Sequence, residues 1–318
     1  MAALLACPEC GDELQPRERA LRCGTGHSFD IARQGYVGLL TGASTKMTGD
    51  TAAMLDARAA FQGAGHFAPI AAAVAQAFGT GSAAQQPDAA LTVGSPATQT
   101  GTTLPDDPAA AGSPVIGPGA AYAAGGSPTD RAILEVGAGT GYYLAEVLDA
   151  QPGAYGIALD VAKPAARRAA HTHPRMASVL ADAWRGLPVR DNALTGVLSV
   201  FAPRNPTEVA RVLSPGGRFV VVTPTTRHLS ELVGSLDMVR VDPDKDRRLA
   251  DSLSGVFTRT AHTLVEFPMK LTRADVTNVI AMGPSAFHGT PADDPRISGL
   301  PDITEVTASV TVSSYVPI

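Results

Sequence analysis

The chain is poor in several residues whose abundance would point elsewhere. Only three cysteines occur in 318 residues, aromatics make up 5%, and there is a single tryptophan. Three cysteines cannot close a disulfide framework, which excludes a bridge-stapled secreted scaffold and sets the expectation of a reducing compartment. No apolar run approaches the ~20 residues that span a bilayer. The Leu4-Leu5 start is too short for a secretory leader, so a cytoplasmic protein is expected. The formal net charge is −5, so no global basic field advertises nucleic acid, although a local patch can suffice. Lysine and arginine are absent from residues 79–130. That stretch of Ala, Gly, Ser, Thr, Pro and Gln shows no sustained periodicity and cannot offset its ordering entropy by burial. It reads as a disordered insertion.

What cysteine there is falls in one place. Cys7-Pro8-Glu9-Cys10 is followed, after twelve residues, by Cys23-Gly24-Thr25-Gly26-His27. A C-x2-C pair followed by C-x3-H has the spacing of a tetrahedral zinc site. Cys7, Cys10, Cys23 and His27 are the expected ligands. Four protein ligands leave no open position, so the metal is expected to be structural. Residues 1–40 then form a small zinc ribbon, with short strands around Ala20-Leu21-Arg22 and Gly35-Tyr36-Val37. Residues 41–78 form a helical connector: Met54, Leu55, Ala57 and Phe61 recur at helical spacing, and another helix follows Pro69.

Residues 131–318 alternate strand and helix. Strands are expected at Ala132–Val136, Tyr155–Leu159, Ala177–Leu180, Leu194–Val200 and Arg218–Val222, with later ones near His262–Glu266 and Glu305–Ser313. Helices are expected at Tyr142–Leu148, Ala165–His171 and Pro206–Leu213. This alternation means an α/β fold with a mostly parallel sheet covered on both faces.

The first of these strands runs into Glu135-Val136-Gly137-Ala138-Gly139-Thr140-Gly141. Glycines at 137, 139 and 141 let backbone approach a ligand at the strand's carboxyl end. Tyr142 stands where a dinucleotide fingerprint needs its third glycine, so that reading fails. S-adenosylmethionine, which has no pyrophosphate, suits the pattern. Glu135 either holds the loop or meets the cationic methionyl end. Asp160, ending the second strand, is placed for the ribose hydroxyls, and Asp182, beyond the third, for the adenine amino group. Ser199-Val200-Phe201-Ala202-Pro203-Arg204-Asn205-Pro206 departs from the Asn/Asp-Pro-Pro-aromatic turn of exocyclic-amine methylases, which argues for a different acceptor atom. Leu213-Ser214-Pro215-Gly216-Gly217 resembles the turn expected before the fifth strand of class I methyltransferases, which bears on the fold and says little about chemistry.

These segments together resemble the 23S rRNA (guanine-N1-)-methyltransferase family over nearly the whole chain outside the insertion. The resemblance rests on the zinc array, on Phe29-Asp30-Ile31-Ala32-Arg33-Gln34-Gly35-Tyr36-Val37, and on Gly49-Asp50-Thr51 with Met54. It continues through Ala57-Arg58, Gly65-His66-Phe67, Phe201-Ala202-Pro203, Thr223-Pro224 and Arg227-His228-Leu229. It implies a class I S-adenosylmethionine-dependent, Rossmann-like methyltransferase domain behind a zinc ribbon. It further implies that Phe67, Gly139, Thr140 and His228 contact the cofactor, and that a homodimer grips an rRNA hairpin with its ribbons. Val279-Ile280-Ala281-Met282-Gly283-Pro284-Ser285 resembles the branch associated with tylosin and mycinamicin resistance, which points to guanine 748 rather than 745.

Some residues stay open between two roles. Asp50 is either the acceptor of the guanine N1 proton or the N-cap of the next helix, and His66 is either a packing residue or a site residue. Lys163, Arg167, Arg168 and Arg175 are either a solvated helix face or an RNA contact. Arg17, Arg19, Arg22 and Arg33 of the ribbon are the better phosphate candidates. The rival functions are a small-molecule methyltransferase with a zinc appendage and a non-catalytic RNA-binding protein with a relict cofactor fold.

Overall fold

The computed structural model describes residues 1–42, 47, 49–79, 91–92, 131–283 and 294–318. The low-complexity stretch 79–130 lies outside these apart from Gly79 and Leu91–Thr92, as do Pro284 and Ser285.

The N-terminal module is a three-stranded antiparallel sheet: β1 (Gln15–Arg17), β2 (Ala20–Arg22) and β3 (Ser28–Asp30). Leu21, fully buried, sits opposite Pro16 on one side and Phe29 on the other. The next strand, β4 (Tyr36–Gly38), does not complete the ribbon as the sequence suggests. It pairs in parallel with β8 (Met176–Leu180), placing Val37 beside Val179 at the edge of the main sheet. The reason is burial: Tyr36 and Val37 are apolar and enclosed, and a three-strand ribbon has no interior deep enough to cover them.

The main sheet has the order β4-β8-β7-β6-β9-β10-β12-β11-β5. Here β5 is Leu91–Thr92, β6 Ala132–Val136, β7 Tyr155–Asp160 and β9 Leu194–Val200. β10 is Leu213–Pro224, β11 Phe257–Thr272 and β12 Ile303–Pro317. All pairings are parallel except those of β12, which runs against both β10 and β11. β6 is buried at all five positions, as a central parallel strand covered on both faces must be. Its neighbours β7 and β9 are reached in opposite directions along the sheet, so the order reverses at β6. That reversal opens a crevice at the strands' carboxyl ends. This is the class I methyltransferase arrangement, extended at one edge by β4.

The two faces have separate cores. Ile133, Ala158, Leu198 and Val220 face helices α1 (Ala52–Gly63), α2 (Ala68–Ala77) and α3 (Tyr142–Ala150). Leu134, Ile157, Val179 and Val221 face the other way, into a core shared with Leu5, Leu14, Leu21, Cys7 and Cys23 of the ribbon. The zinc module is thus packed on the sheet. No helix among the described residues is long and apolar enough to cross a membrane.

Candidate cofactor and metal sites

A cavity of about 710 Å3 opens at the switch point, within the range of about 300–1,000 Å3 typical of small-molecule sites. Gly137 forms its floor at φ 71°, and a side chain there would place Cβ 2.6 Å from that of Ala202. The amides of Gly137 and Ala138 both donate to Leu159 O, at 2.9 and 3.1 Å, which turns the loop back over β7. Asp160 accepts from Gly139 N through Oδ2 and from Ala162 N through Oδ1, each at 2.8 Å. Each of those oxygens keeps a further lone pair, and Asp160 lines the cavity. Burial raises its pKa, and the two amide bonds act against that rise.

Glu135 is 1% exposed. Its Oε2 accepts from Leu144 N at 3.2 Å, anchoring the start of α3. The glycine loop itself makes no hydrogen bond to the Glu135 side chain among the described residues, and Glu135 also lines the cavity. Burial pushes its pKa up to about 8, Asp160 adds to the rise, and the Leu144 amide and Arg58 oppose it.

Asp182 accepts from Trp184 N at 3.0 Å, capping the turn Ala183–Arg185 and lifting Trp184 to the rim, where it is 52% exposed. His228 Nδ1 accepts from Ser309 N at 3.1 Å, so its proton is on Nε2. Burial and the nearby Lys245 lower its pKa to about 4, keeping the ring neutral. The ring lies between Phe67 and Phe201, at centroid distances of 5.9 and 5.7 Å. Phe201 sits at φ 53° and is 41% exposed, an outlier for a bulky side chain.

Asp50, Phe67, Glu135, Gly137, Asp160, Asp182 and His228 therefore line one cavity, whereas Gly139, Thr140 and Gly141 do not. Thr140 turns away, donating to Gln62 Oε1 at 2.7 Å. A Cβ on Gly139 would lie 2.7 Å from Arg58 Nη1, so the arginine stands against the loop at that point. Arg58 pairs with Asp50 at 2.6 Å and donates to Met282 O at 2.9 Å. The N-cap reading of Asp50 is overturned: Thr51 is the cap, its hydroxyl accepting from Met54 N at 3.2 Å.

His66 packs on Phe61 at 4.7 Å with Nε2 3.2 Å from Asp275, outside the cavity. Arg168 pairs with Asp56, and Arg175 donates to the carbonyls of Gln151 and Ala154; both cations serve the fold. The four ribbon arginines are exposed. The sequence reading missed Arg58, Trp184, Phe201, Arg240, Lys245 and Arg248 as lining residues. The signal that could have found Arg58 is its place in the Ala57-Arg58 segment of the family resemblance.

The ligand atoms of Cys7, Cys10, Cys23 and His27 all lie within 4.8 Å of one another. Cys10 Sγ is 3.7 Å from Cys23 Sγ, and His27 Nδ1 is 3.6 Å from Cys7 Sγ and 3.4 Å from Cys23 Sγ. A tetrahedron with Zn–S of about 2.3 Å and Zn–N of about 2.0 Å needs edges near 3.8 and 3.5 Å. The donor set fits zinc through Nδ1, with no position left for substrate.

Comparison with known proteins agrees with this geometry. The zinc-ribbon family described as "RlmA, N-terminal" matches residues 5–44, and the "Methyltransferase domain" family matches residues 134–221. A 23S rRNA (guanine(748)-N(1))-methyltransferase of Streptomyces fradiae is 39% identical, over 99% of this chain and 97% of that protein. A protein of Micromonospora griseorubida, named for guanine-N(1) methylation of 23S rRNA, is 44% identical over 99% and 97%. YxjB of Bacillus subtilis, similarly named, is 25% identical over 85% and 79%. A zinc ribbon and an S-adenosylmethionine-dependent methyltransferase domain in one chain, matched at this identity from end to end, make this protein a member of the 23S rRNA (guanine-N1-)-methyltransferase family.

Proposed function

We propose that this enzyme methylates N1 of guanine 748 in a 23S rRNA hairpin loop. The observation that carries the reading is the cavity at the switch point, in a chain similar end to end to a guanine-748 enzyme. Bound in that cavity, S-adenosylmethionine supplies a methyl group on a cationic sulfur that needs no acid to leave. Asp160 accepts from the ribose hydroxyls with its remaining lone pairs, and Asp182 accepts from the adenine amino group. Gly137 keeps the floor open. Gly139, Thr140 and Gly141 set the loop's course, and Phe67 and neutral His228 close the methionyl end, His228 offering its Nε2–H as a donor.

Guanine N1 is hidden in a Watson–Crick pair, so the target base must be unpaired and turned into the cavity. Its N1 proton leaves as the N–C bond forms. Asp50, oriented by Arg58, is the proposed acceptor, directly or through a water. Positioning supplies most of the acceleration, because the leaving group is already activated.

A methyl group at nucleotide 748 adds bulk where tylosin-type macrolides extend, so resistance to them is part of the reading. So are cytoplasmic location and a homodimer whose ribbons hold the hairpin. Intact Gly137 and Asp160 weigh against a relict fold that only binds RNA. The test is methyl transfer from labelled cofactor to 23S rRNA, followed by primer extension. A stop at nucleotide 748 is expected. A stop at 745 rejects the site assignment, and no transfer to rRNA rejects the substrate.

A further inference from the structure

The charges on the cavity wall are sorted by sign. Asp50, Glu135, Asp160 and Asp182 line the side nearest the glycine loop, where Arg58 is already paired with Asp50. A separate stretch of the lining comes from the segment entering helix α4 (Lys245–Leu253), where Arg240, Lys245 and Arg248 line the cavity. Arg204, one residue beyond the lining Pro203, stays behind the wall, where it and Arg248 both act on the Lys245 ammonium as like charges.

These cations are poorly compensated. Arg248 pairs with Asp242, the one acidic residue lining this stretch. The side chains of Arg240 and Lys245 have no hydrogen-bond or ion-pair partner among the described residues. Arg204 donates from Nη2 to Ala202 O at 3.1 Å, while its Nη1 is buried with no partner. A buried guanidinium nitrogen without an acceptor, beside a half-buried ammonium of the same sign, is costly in the free protein. An anion bound in the cavity at Lys245 offsets the like-charge cost.

We propose that Arg240, Lys245 and Arg248 form a phosphate-binding wall that takes the backbone of the RNA nucleotide flanking the target guanine. This rests on the RNA-methylating function proposed above. A cationic cofactor suits the acidic part of the lining, and a polyanionic substrate suits the basic part. With the flanking phosphate held by this segment, the extruded base enters the cavity that Phe201 and His228 also line. The wall carries no base-specific donor pattern, so it fixes register and leaves the choice of guanine to other contacts.

Arg240 and Lys245 are the residues to change, since neither holds another part of the fold. Binding of a hairpin RNA carrying the target loop is measured at several salt concentrations for the unaltered protein, for Lys245→Ala and for Arg240→Ala/Lys245→Ala. Calorimetry gives S-adenosylmethionine affinity for the same proteins. The double variant is expected to bind RNA at least tenfold more weakly at moderate salt. The slope of log affinity against log salt should fall by about 0.7 for each phosphate that is no longer neutralised, with cofactor affinity unchanged. Weakened cofactor binding with an unchanged RNA salt slope assigns the cations to the methionyl carboxylate and overturns the proposal. Unchanged RNA affinity and slope also overturn it, leaving ordinary solvated charges. Mapped methylation by the unaltered protein tests the underlying function separately.

Discussion

Replacing Glu135 with glutamine tests the energetics of the cavity floor without emptying it. Glutamine keeps an acceptor for the Leu144 amide and nearly the same volume, so the helix anchor survives. What it removes is a carboxyl that ionises near 4.5 in an open chain and at about 8 in the folded protein. At about 1.4 kcal/mol per tenfold change in acidity, that displacement is worth on the order of 5 kcal/mol. The sign follows from proton counting. Between pH 4.5 and 8 the native state holds a proton that the unfolded chain has released. Stability therefore falls as pH rises through this window, by up to about 1.4 kcal/mol per pH unit, and levels off above it. The variant carries no such cost, so its stability relative to the unaltered protein should climb by about 2–4 kcal/mol between about pH 5.5 and 8.5. Urea unfolding with zinc present, followed by circular dichroism at several pH values, measures the gap. A gap that stays constant with pH would show that Glu135 is ionised throughout, and the argument from its burial would be wrong.

Other outcomes are open to direct measurement. Cys23→Ser should abolish stoichiometric zinc by elemental analysis and lower the melting temperature of the whole protein, because Cys23 belongs to a core shared with the sheet. Asp160→Ala should weaken S-adenosylmethionine binding by about 1.5–3 kcal/mol by calorimetry, the scale of losing charge-assisted hydrogen bonds; an unchanged affinity in a folded variant refutes the ribose role. Removing residues 80–128 and closing the gap with a short flexible linker should leave rRNA methylation intact, a result that a folded but inactive deletion would contradict.

The parts of the protein written in local pattern were readable from sequence. β6 and β9 fall at the predicted residues, Ala132–Val136 and Leu194–Val200, because short, mostly apolar, Val/Ile/Leu-rich segments that are followed by turn signals are too short for helices and suit buried parallel strands. The zinc ligands were readable because spacing alone defines a knuckle. Other features depend on tertiary context. β11 is expected from sequence over five residues and runs from Phe257 to Thr272. Its exposed half carries Thr, Arg and His, which mask a strand when its partner is unknown. Phe201's left-handed backbone and the sorting of cavity charges by sign had no periodic signature. Arg240, Lys245 and Arg248 stand among Asp242, Asp244 and Asp246, a mixture that reads as a solvated surface until the chain is folded.

The position of β4 changes what the zinc can do. A ribbon joined by a loose tether would only raise the local concentration of RNA. Here Ile31 bridges to Val37, and Val37 pairs with Val179 of β8. The chain leaving β8 then carries Ala181, Asp182 and Trp184 into the cavity wall. Metal, ribbon, edge strand and cavity are thus joined by hydrogen-bonded backbone and one apolar core. Arg17, Arg19, Arg22 and Arg33 on the ribbon surface are consequently held at fixed positions relative to Asp160 and His228. A transfer that relies on placing one guanine N1 in line with a carbon–sulfur bond needs that fixity, because about 1 Å of misplacement can cost about 100-fold in rate. The zinc ligands Cys7 and Cys23, in a site closed to substrate, thus belong to the same apolar core as the strands that carry the cavity.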